Sequence, residues 1–473
     1  MRLDRAAIGA AMAWQNPALR SQKGMRAVAG WDEDVVTMAA EAARDALNGR
    51  ASQARAVLLA STSAPFADRL NAGIIAGALD LPRDALGLDL GGSHRAGTSA
   101  LIAGLALANQ GEVIVVAGEA RTARAGSQQE LANGDAAAAI LLGHDNVVAR
   151  ILATASVGSD FIDHWRATGD RYDYQWEERW IREEGYLKLV PEAARAVLAH
   201  AGVAASDVAH FILPSPLKGM AKTALAKLGL ENADSGDDLS ATVGFAGAAH
   251  ALLMLATVME SAKPGEKILL AGFGSGADAI LIEPTDAILT TRPRRGVSGW
   301  IAEGARSTDY AKYLSLKGEL QVEWGPRSEF GNKFAPTVNA RAVRDTLAFV
   351  GGRDRQTGVV QFPKTPMGIA PGASGVAEYD DVLLADEPAR VVAVTADWLT
   401  YHPSPPFYFG LVQFENGARM PMEFVDVADR AIDVGTPVEM TFRIKEIDRM
   451  RGHRQYFWKA VPIRRPVPAE EAA

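Results

Sequence analysis

The stretch RAGTSALIAGLALA (Arg95–Ala108) returns later in the chain as FAGAAHALLMLATV (Phe245–Val258). Ala, Gly and Leu run around all sides of both, as in a helix packed from every direction rather than from one face. Working outward, the same spacing recurs. EAARDAL (Glu41–Leu47) returns as EAARAVL (Glu192–Leu198), and GEVIVVAGEA (Gly111–Ala120) as GEKILLAGFG (Gly265–Gly274). The offsets are 150, 151 and 154 residues. A near-constant offset over helix, helix and strand marks one fold used twice, and such a repeat fixes the architecture before any single element does.

The repeating unit reads α, β, α, β. Glu41–Leu47 lies in an amphipathic helical stretch, and ARAVLLAST (Ala54–Thr62) is a continuous apolar run of strand length. EVIVVAG (Glu112–Gly118) is a β-branched strand; AHFILPS (Ala209–Ser215) and EKILLAG (Glu266–Gly272) are its counterparts in the second half. Continuous apolar runs between helices indicate buried, mostly parallel strands. If the helices after residues 94 and 244 pack against each other between the two sheets, the result is a five-layered αβαβα sandwich.

Composition narrows the class. A chain of 473 residues with 48% hydrophobic content predicts two or three domains. A net charge of −8 argues against nucleic acid as a general partner. No apolar run is long enough for a bilayer and no signal peptide opens the chain, so the expectation is a cytoplasmic protein without membrane association. There is no cysteine, which excludes disulfides, thiolate metal ligands and a thiol nucleophile. RLDRAAIGAAMAW (Arg2–Trp14) reads as helical almost from the first residue, leaving room for at most a short initial strand.

The duplicated domain is expected to span 1–287. TTRPRRGVSG (Thr290–Gly299) reads as a linker, and 288–345 as linker and helical segment. The remaining 346–473 contains alternating, aromatic-rich strands, with ENG (Glu415–Gly417) as a tight hairpin signal. This predicts a small β-barrel of the OB type.

SHRAGTSAL (Ser93–Leu101), STSAPFADRLNAGIIAGAL (Ser61–Leu79), ELANGDAAAAILLG (Glu130–Gly143) and GFGSGADA (Gly272–Ala279) together resemble signatures of the hydroxymethylglutaryl-CoA synthases and ketoacyl synthases III of the thiolase superfamily. GVVQFPKTPM (Gly358–Met367) resembles part of the zinc-ribbon and OB module that accompanies acyl-CoA thiolases. The resemblance implies a thiolase-type αβαβα domain, a coenzyme A thioester as substrate with no bound cofactor, and a homodimer in which EVIVVAG pairs across the two-fold axis. Related systems pair such chains with a separate Cys-bearing thiolase subunit.

The resemblance also implies what has been lost. The family nucleophile, a Cys, falls at His94; the family His at about Pro214 or Ser215; the family Asn at Phe245; and four zinc-ligating Cys near Asp354, Thr357, Gly368 and Ala373. No metal is therefore expected. Glu130 matches the family's general acid/base Glu.

Glu130 and His94 are thus the candidate catalytic pair. His94 precedes a helix N-terminus, where peptide dipoles disfavour an imidazolium. It reads either as a neutral ring that donates to a carbonyl or accepts a proton, or as a space-filling relic. Candidate substrate and CoA contacts are Ser93, Ser215, Lys218, Lys222, Gly274, Ser275 and Gly276. The lysines would meet phosphates or are simply solvated, and the Gly274–Gly276 turn would aim backbone N–H groups at a thioester oxygen or is a turn that needs Gly for its positive φ. His250 reads as a bonded core residue. DYQWEERWIREEGY (Asp173–Tyr186) reads as an insertion that caps the pocket or meets another subunit, or whose aromatics are ordinary packing, and YHPSPPFYFG (Tyr401–Gly410) as a loop that grips a flat acyl group or a partner, or simply a rigid surface loop. Three functions remain open: C–C bond chemistry on acyl-CoA within a thiolase complex, an autonomous aldolase-type lyase, and a CoA-ester-binding scaffold.

Overall fold

The computed structural model describes residues 1–50, 53–324, 335–427 and 431–463. Parts of the expected linker (325–334) and barrel (428–430 and 464–473) lie outside the described residues. Two compact units form. The first comprises Met1–Gly30, Asp34–Ala76 and Leu81–Leu320; the second comprises Trp31–Glu33, Gly77–Asp80 and Gln321–Ala473.

In the first unit α1 (Val35–Leu47) starts at a capping box, where Asp34 accepts from the Val36 and Thr37 N–H groups and Thr37 bonds back to the Asp34 N–H. Strand β1 (Ala56–Ala60) follows, then β2 (Leu86–Leu90), α2 (Ala96–Ala108), β3 (Val113–Glu119), the short α3 (Gln128–Ala132) and β4 (Ala136–Leu142). The strand order is β2-β1-β3-β4. β1 and β3 are parallel, and β4 returns antiparallel to β3.

After β5 (Ala149–Gly158) comes an insertion whose strands β6 (His164–Trp165) and β7 (Tyr174–Gln175) form a small hairpin. The second half then repeats the first. It contains α4 (Leu187–Ala201), β8 (Val208–Ile212), α5 (Met220–Leu228), α6 (Gly247–Met259), β9 (Lys267–Phe273) and β10 (Gly276–Pro284). Its sheet runs β8-β9-β10-β5, again with two parallel strands followed by an antiparallel return. α7 (Tyr310–Leu316) packs on this unit through Tyr310 and Tyr313. The initial strand is indeed short, covering Arg2–Asp4 only.

The duplicated helices α2 and α6 meet in the middle, and their small residues are the reason they can. A Cβ on Gly97 would come within 2.2 Å of the Ala248 carbonyl oxygen. The core around them is built from Ala, Val, Leu and Ile of both halves, such as Ala100, Val115, Leu252 and Ile280.

One expectation fails here. EVIVVAG is not an edge: β3 has β1 on one side and β4 on the other. The edges of that sheet are β2, whose Leu86 and Leu88 are exposed, and β4. The continuous apolar character of β3 comes from burial inside its own sheet.

In the second unit β11 (Val350–Asp354) pairs with β12 (Val360–Gln361) and β13 (Tyr379–Leu383). A closed barrel follows, of β14 (Ala389–Asp397), β15 (Phe407–Phe414), β16 (Arg419–Phe424), β17 (Pro437–Asp448) and β18 (His453–Pro462), in the order β14-β15-β16-β18-β17. Alternating inward positions supply its core, including Val412, Phe414, Phe442, Ile444 and Trp458.

Candidate active site

His94 stands in the turn that leads into α2, a helix whose N-terminus has no side-chain cap. Asp278 anchors that helix start. Its buried carboxylate accepts from Arg95 at 2.7 Å, Thr98 at 2.9 Å, Ser99 at 2.7 Å and Ser156 at 2.7 Å. Four donors on one buried carboxylate offset its desolvation and lock the second-half sheet to the first-half helix.

The turn Gly274–Gly276 joins β9 to β10 beside this point. Ser93 Oγ and Arg95 Nε both donate to the Gly274 carbonyl, at 2.6 and 2.9 Å. The glycines are demanded by close approach: a Cβ on Gly274 would meet Ser93 Oγ at 2.4 Å, and one on Gly276 the Val157 carbonyl at 2.2 Å. The Gly274 N–H already bonds to the Gly276 carbonyl at 3.0 Å, so it is not free for a thioester oxygen as expected. Ser275 is the member of the turn that lines a cavity.

That cavity has a volume of about 490 Å3 and is bounded by Ser61, Thr62, His164, Arg166, Asp173 and Ser275, among others. Its floor at Ser61–Ser63 is fixed by Glu119 at the end of β3. Fully buried, Glu119 accepts from the Thr62 N–H and hydroxyl, each at 3.1 Å, from Ser61 and Ser63, and from the Ala248 N–H at 3.1 Å.

Above it lies a cluster that sequence reasoning missed. Arg121 is buried and donates to His94 Nε2 at 2.8 Å, to Asp173 at 3.2 Å and to Asn133 at 2.9 Å. Because a guanidinium only donates, His94 Nε2 is the acceptor and its proton sits on Nδ1. Enclosure of the ring, then Arg121, His164 and Arg166, hold its pKa well below the ordinary imidazole range. The ring is neutral, as the sequence predicts, but its lone pair is already spent. Phe245 packs edge-on against it with ring centroids 5.4 Å apart.

His164 stacks on His94, centroids 3.8 Å apart and planes at 15°. Its Nδ1 lies 2.8 Å from Asp163 Oδ2. Arg166 pairs with Asp173 at 3.3 Å, so Asp173 joins both guanidinium groups. His94, Asp163 and His164 place three donor atoms within 4.8 Å of one another. Two features oppose a cation there: His94 Nε2 is occupied by Arg121, and the cluster holds two guanidinium groups.

Glu130 goes elsewhere. It is fully buried on α3 and accepts from the Gly126 N–H at 2.7 Å and the Tyr310 hydroxyl at 3.0 Å. Burial raises its pKa, opposed by the Gly126 N–H and Arg26. Among the described residues no contact joins Glu130 to His94. Ser215 caps its own turn, accepting from the Leu217 N–H at 3.0 Å. Lys218 and Lys222 are exposed near the start of α5 and form no ion pair among the described residues. His250 is the bonded core residue expected, accepting from the Ala246 N–H at 3.2 Å while its Nε2 reaches the Asp238 carbonyl at 2.9 Å.

The insertion supplies a second cavity of about 430 Å3, walled by Phe161, Ile162, Trp165, Trp176 and Trp180. Its only signal in the sequence was the density of aromatics; nothing in the spacing marked Asp163, His164 or Arg166.

In the second unit Asp354, Thr357, Gly368 and Ala373 converge. Thr357 donates to Asp354 at 2.9 Å, and a Cβ on Gly368 would lie 2.5 Å from Asp354 Oδ2 and 3.0 Å from the Ala373 Cβ.

The hydroxymethylglutaryl-CoA synthase of Caldivirga maquilingensis is 32% identical over 329 residues, covering 67% of this chain and 94% of that one. The chain belongs to the hydroxymethylglutaryl-CoA synthase family. The same enzyme of Pyrobaculum aerophilum is 30% identical over 309 residues, covering 63% of this chain and 87% of the relative. Within the family domain, residues 198–282 match the 3-oxoacyl-[acyl-carrier-protein] synthase III C-terminal family. The fold is shared with a solved hydroxymethylglutaryl-CoA synthase complexed with CoA (TM-score 0.59, 18% identity, 71% of this chain and 91% of that one). It is also shared with 3-oxoacyl-(acyl carrier protein) synthase III of Pseudomonas aeruginosa (TM-score 0.52, 20% identity, 60% and 94%). Among the described residues no helix is long and apolar enough to cross a membrane.

Proposed function

We propose that this chain makes or breaks a carbon–carbon bond beside a coenzyme A thioester without passing through an acyl-enzyme. The observation that carries this reading is the Arg121–His94 hydrogen bond at 2.8 Å. At the position of the family nucleophile stands a neutral ring whose only lone pair is already bonded, so it cannot attack a thioester. Condensing chemistry that begins by acylating the protein is closed to it. Aldol-type chemistry is not, because it needs only a base, a group that steadies an enolate oxygen, and a cavity. Ser275 and Arg166 at the cavity wall suit the second role.

The test uses the purified full chain with a 3-hydroxyacyl-CoA series, following release of aldehyde or ketone and acyl-CoA. Intact-protein mass spectrometry after incubation with acetyl-CoA is expected to show no covalent adduct. An acetylated protein refutes this reading.

A second reading, a subunit working beside a separate thiolase, is favoured by the exposed apolar side chains of the second unit: Trp398, Leu399, Met450 and Val376. The barrel order β14-β15-β16-β18-β17, and the meeting of Asp354, Thr357, Gly368 and Ala373, support an OB module whose ribbon has exchanged zinc for hydrogen bonds to Asp354. Turnover by the lone chain, unaffected by an added thiolase, decides against the complex.

A further inference from the structure

The first unit holds one imidazole whose surroundings prepare it to move a proton, and it is not the one at the family's nucleophile position. His164 lines the 490 Å3 cavity; His94 does not. His164 is held by the β6–β7 hairpin, where it pairs with Gln175, and by stacking on His94. Asp163 fixes its Nδ1 at 2.8 Å. A carboxylate accepts, so the proton sits on Nδ1 and Nε2 carries the lone pair. Among the described residues no protein group bonds to that Nε2. Around the ring stand Asp163, His94, Arg166, Asp173 and Arg121. Asp173 is shared between the two guanidinium groups, which leaves Asp163 as the carboxylate bonded to His164. The contrast with His94 is complete, since there Nε2 is bonded by Arg121 and only Nδ1–H is left.

The geometry points to His164 as the general base of this site, with Asp163 as its positioning residue, acting on a 3-hydroxyacyl thioester of coenzyme A. This rests on the reading of the site as one for C–C bond chemistry without an acyl-enzyme. In the cleavage direction His164 Nε2 takes the proton of the 3-hydroxyl. The oxygen's electrons form the new carbonyl, the bond between carbons 2 and 3 breaks, and its pair becomes the thioester enolate. The enolate oxygen lies toward Ser275 and Arg166. The imidazolium then returns its proton to carbon 2, giving acyl-CoA and an aldehyde or ketone. No electrons are gained or lost and no co-reactant is consumed. In the reverse direction the first step is removal of an α-proton from acyl-CoA by the same nitrogen.

That reverse step gives a test that needs no knowledge of the acyl group. Acetyl-CoA is incubated with the full chain in D2O, and loss of its methyl protons is followed by NMR. Wild type is expected to exchange them, and His164→Gln to exchange them slower by on the order of 100- to 10,000-fold. Asp163→Asn, which donates where the carboxylate accepted, is expected to cost at least about tenfold. A second readout is independent of turnover and of variant folding. Nitrogen-15 shifts of the wild-type histidines should show both His164 and His94 protonated on Nδ1. On the His164→Gln background the His94 signal should remain.

No exchange by wild type, an unchanged rate in His164→Gln, or His164 protonated on Nε2 overturns the assignment. So does one equivalent of Zn2+ held tightly by wild type and lost in His164→Gln. The two readings fail separately. Exchange without cleavage of any 3-hydroxyacyl-CoA leaves the base standing and removes the C–C reaction. Cleavage that survives His164→Gln does the opposite.

Discussion

Glu130 is a carboxyl that sequence reasoning places in a catalytic pair and the structure places behind a wall of hydroxyls. Tyr310 and the Gly126 N–H occupy one oxygen, and Arg26 bonds the Glu130 carbonyl. The carboxyl is fully buried and does not line the cavity beside Ser275. Glu130→Gln is therefore expected to change turnover by less than about tenfold, well below the loss that removal of a working base causes. Steady-state kinetics checks this. His250 offers a sharper pH signature. Burial lowers its pKa to about 4, from an ordinary value of 6.5. The unfolded chain takes up that proton near pH 6.5, whereas the folded chain resists until near 4. Stability is thus fully present above 6.5 and lost as pH falls, by about 2 kcal/mol at pH 5. Urea unfolding of wild type and His250→Gln at pH 7.5 and 5 should show the stability gap between them narrowing at the lower pH. His94 shows how far single residues could be read. Its neutrality was expected from the helix N-terminus, whereas in the structure enclosure of the ring comes first and Arg121, 27 residues away, both adds to it and takes the lone pair, which no local pattern announces.

The repeated elements were legible because burial writes itself into composition. Arg95–Ala108 and Phe245–Val258 are small and apolar all round, since the backbones of α2 and α6 nearly touch at Gly97 and Ala248. The same logic misled at Glu112–Gly118, where an apolar strand read as an interface edge is covered by its own neighbours. If a homodimer forms through this sheet, β2 is the edge strand suited to extend across the axis, because its Leu86 and Leu88 are exposed. Leu88→Glu is expected to convert a dimer of about 100 kDa, twice the 50.2 kDa chain, to monomer in light scattering. A dimer that withstands Leu88→Glu points to another face. The turn between β9 and β10 is the least tolerant element. Gly276 has φ +117 and no room for a methyl group beside the Val157 carbonyl. Gly276→Ala should destabilise by about 1–3 kcal/mol in urea unfolding and lower turnover with it, because Ser275 moves as the turn moves.

At the scale of the whole chain, the proposed reading is the same in both units: reactive and metal-binding groups replaced on a backbone that is kept. In the second unit Asp354 accepts from the Gln356 N–H at 2.8 Å and from Thr357. Two measurements follow. Asp354→Ala should lower the unit's stability by about 1–3 kcal/mol, the cost of leaving buried donors unmatched. The fourfold variant with Cys at positions 354, 357, 368 and 373 should bind one equivalent of Zn2+ by elemental analysis, since those positions already converge. A fourfold variant that folds and takes up no metal refutes the ribbon reading. Losses such as those proposed are visible in a sequence only against a known pattern. His164 with Asp163, and Arg121 with Asp173, are brought together by an insertion whose geometry no periodicity encodes.

The aromatic wall of that insertion also gives the protein a built-in optical gauge. Trp165, Trp176 and Trp180 account for three of its nine tryptophans, and the rings of Trp176 and Trp180 lie nearly parallel with centroids 6.2 Å apart. Two indoles so close couple their electronic transitions, which gives paired bands of opposite sign in circular dichroism. Any ligand that enters the cavity they wall changes their surroundings. Ligand entry is therefore readable from the unlabelled protein, as a change in that signal and in tryptophan emission, before any bond is made or broken.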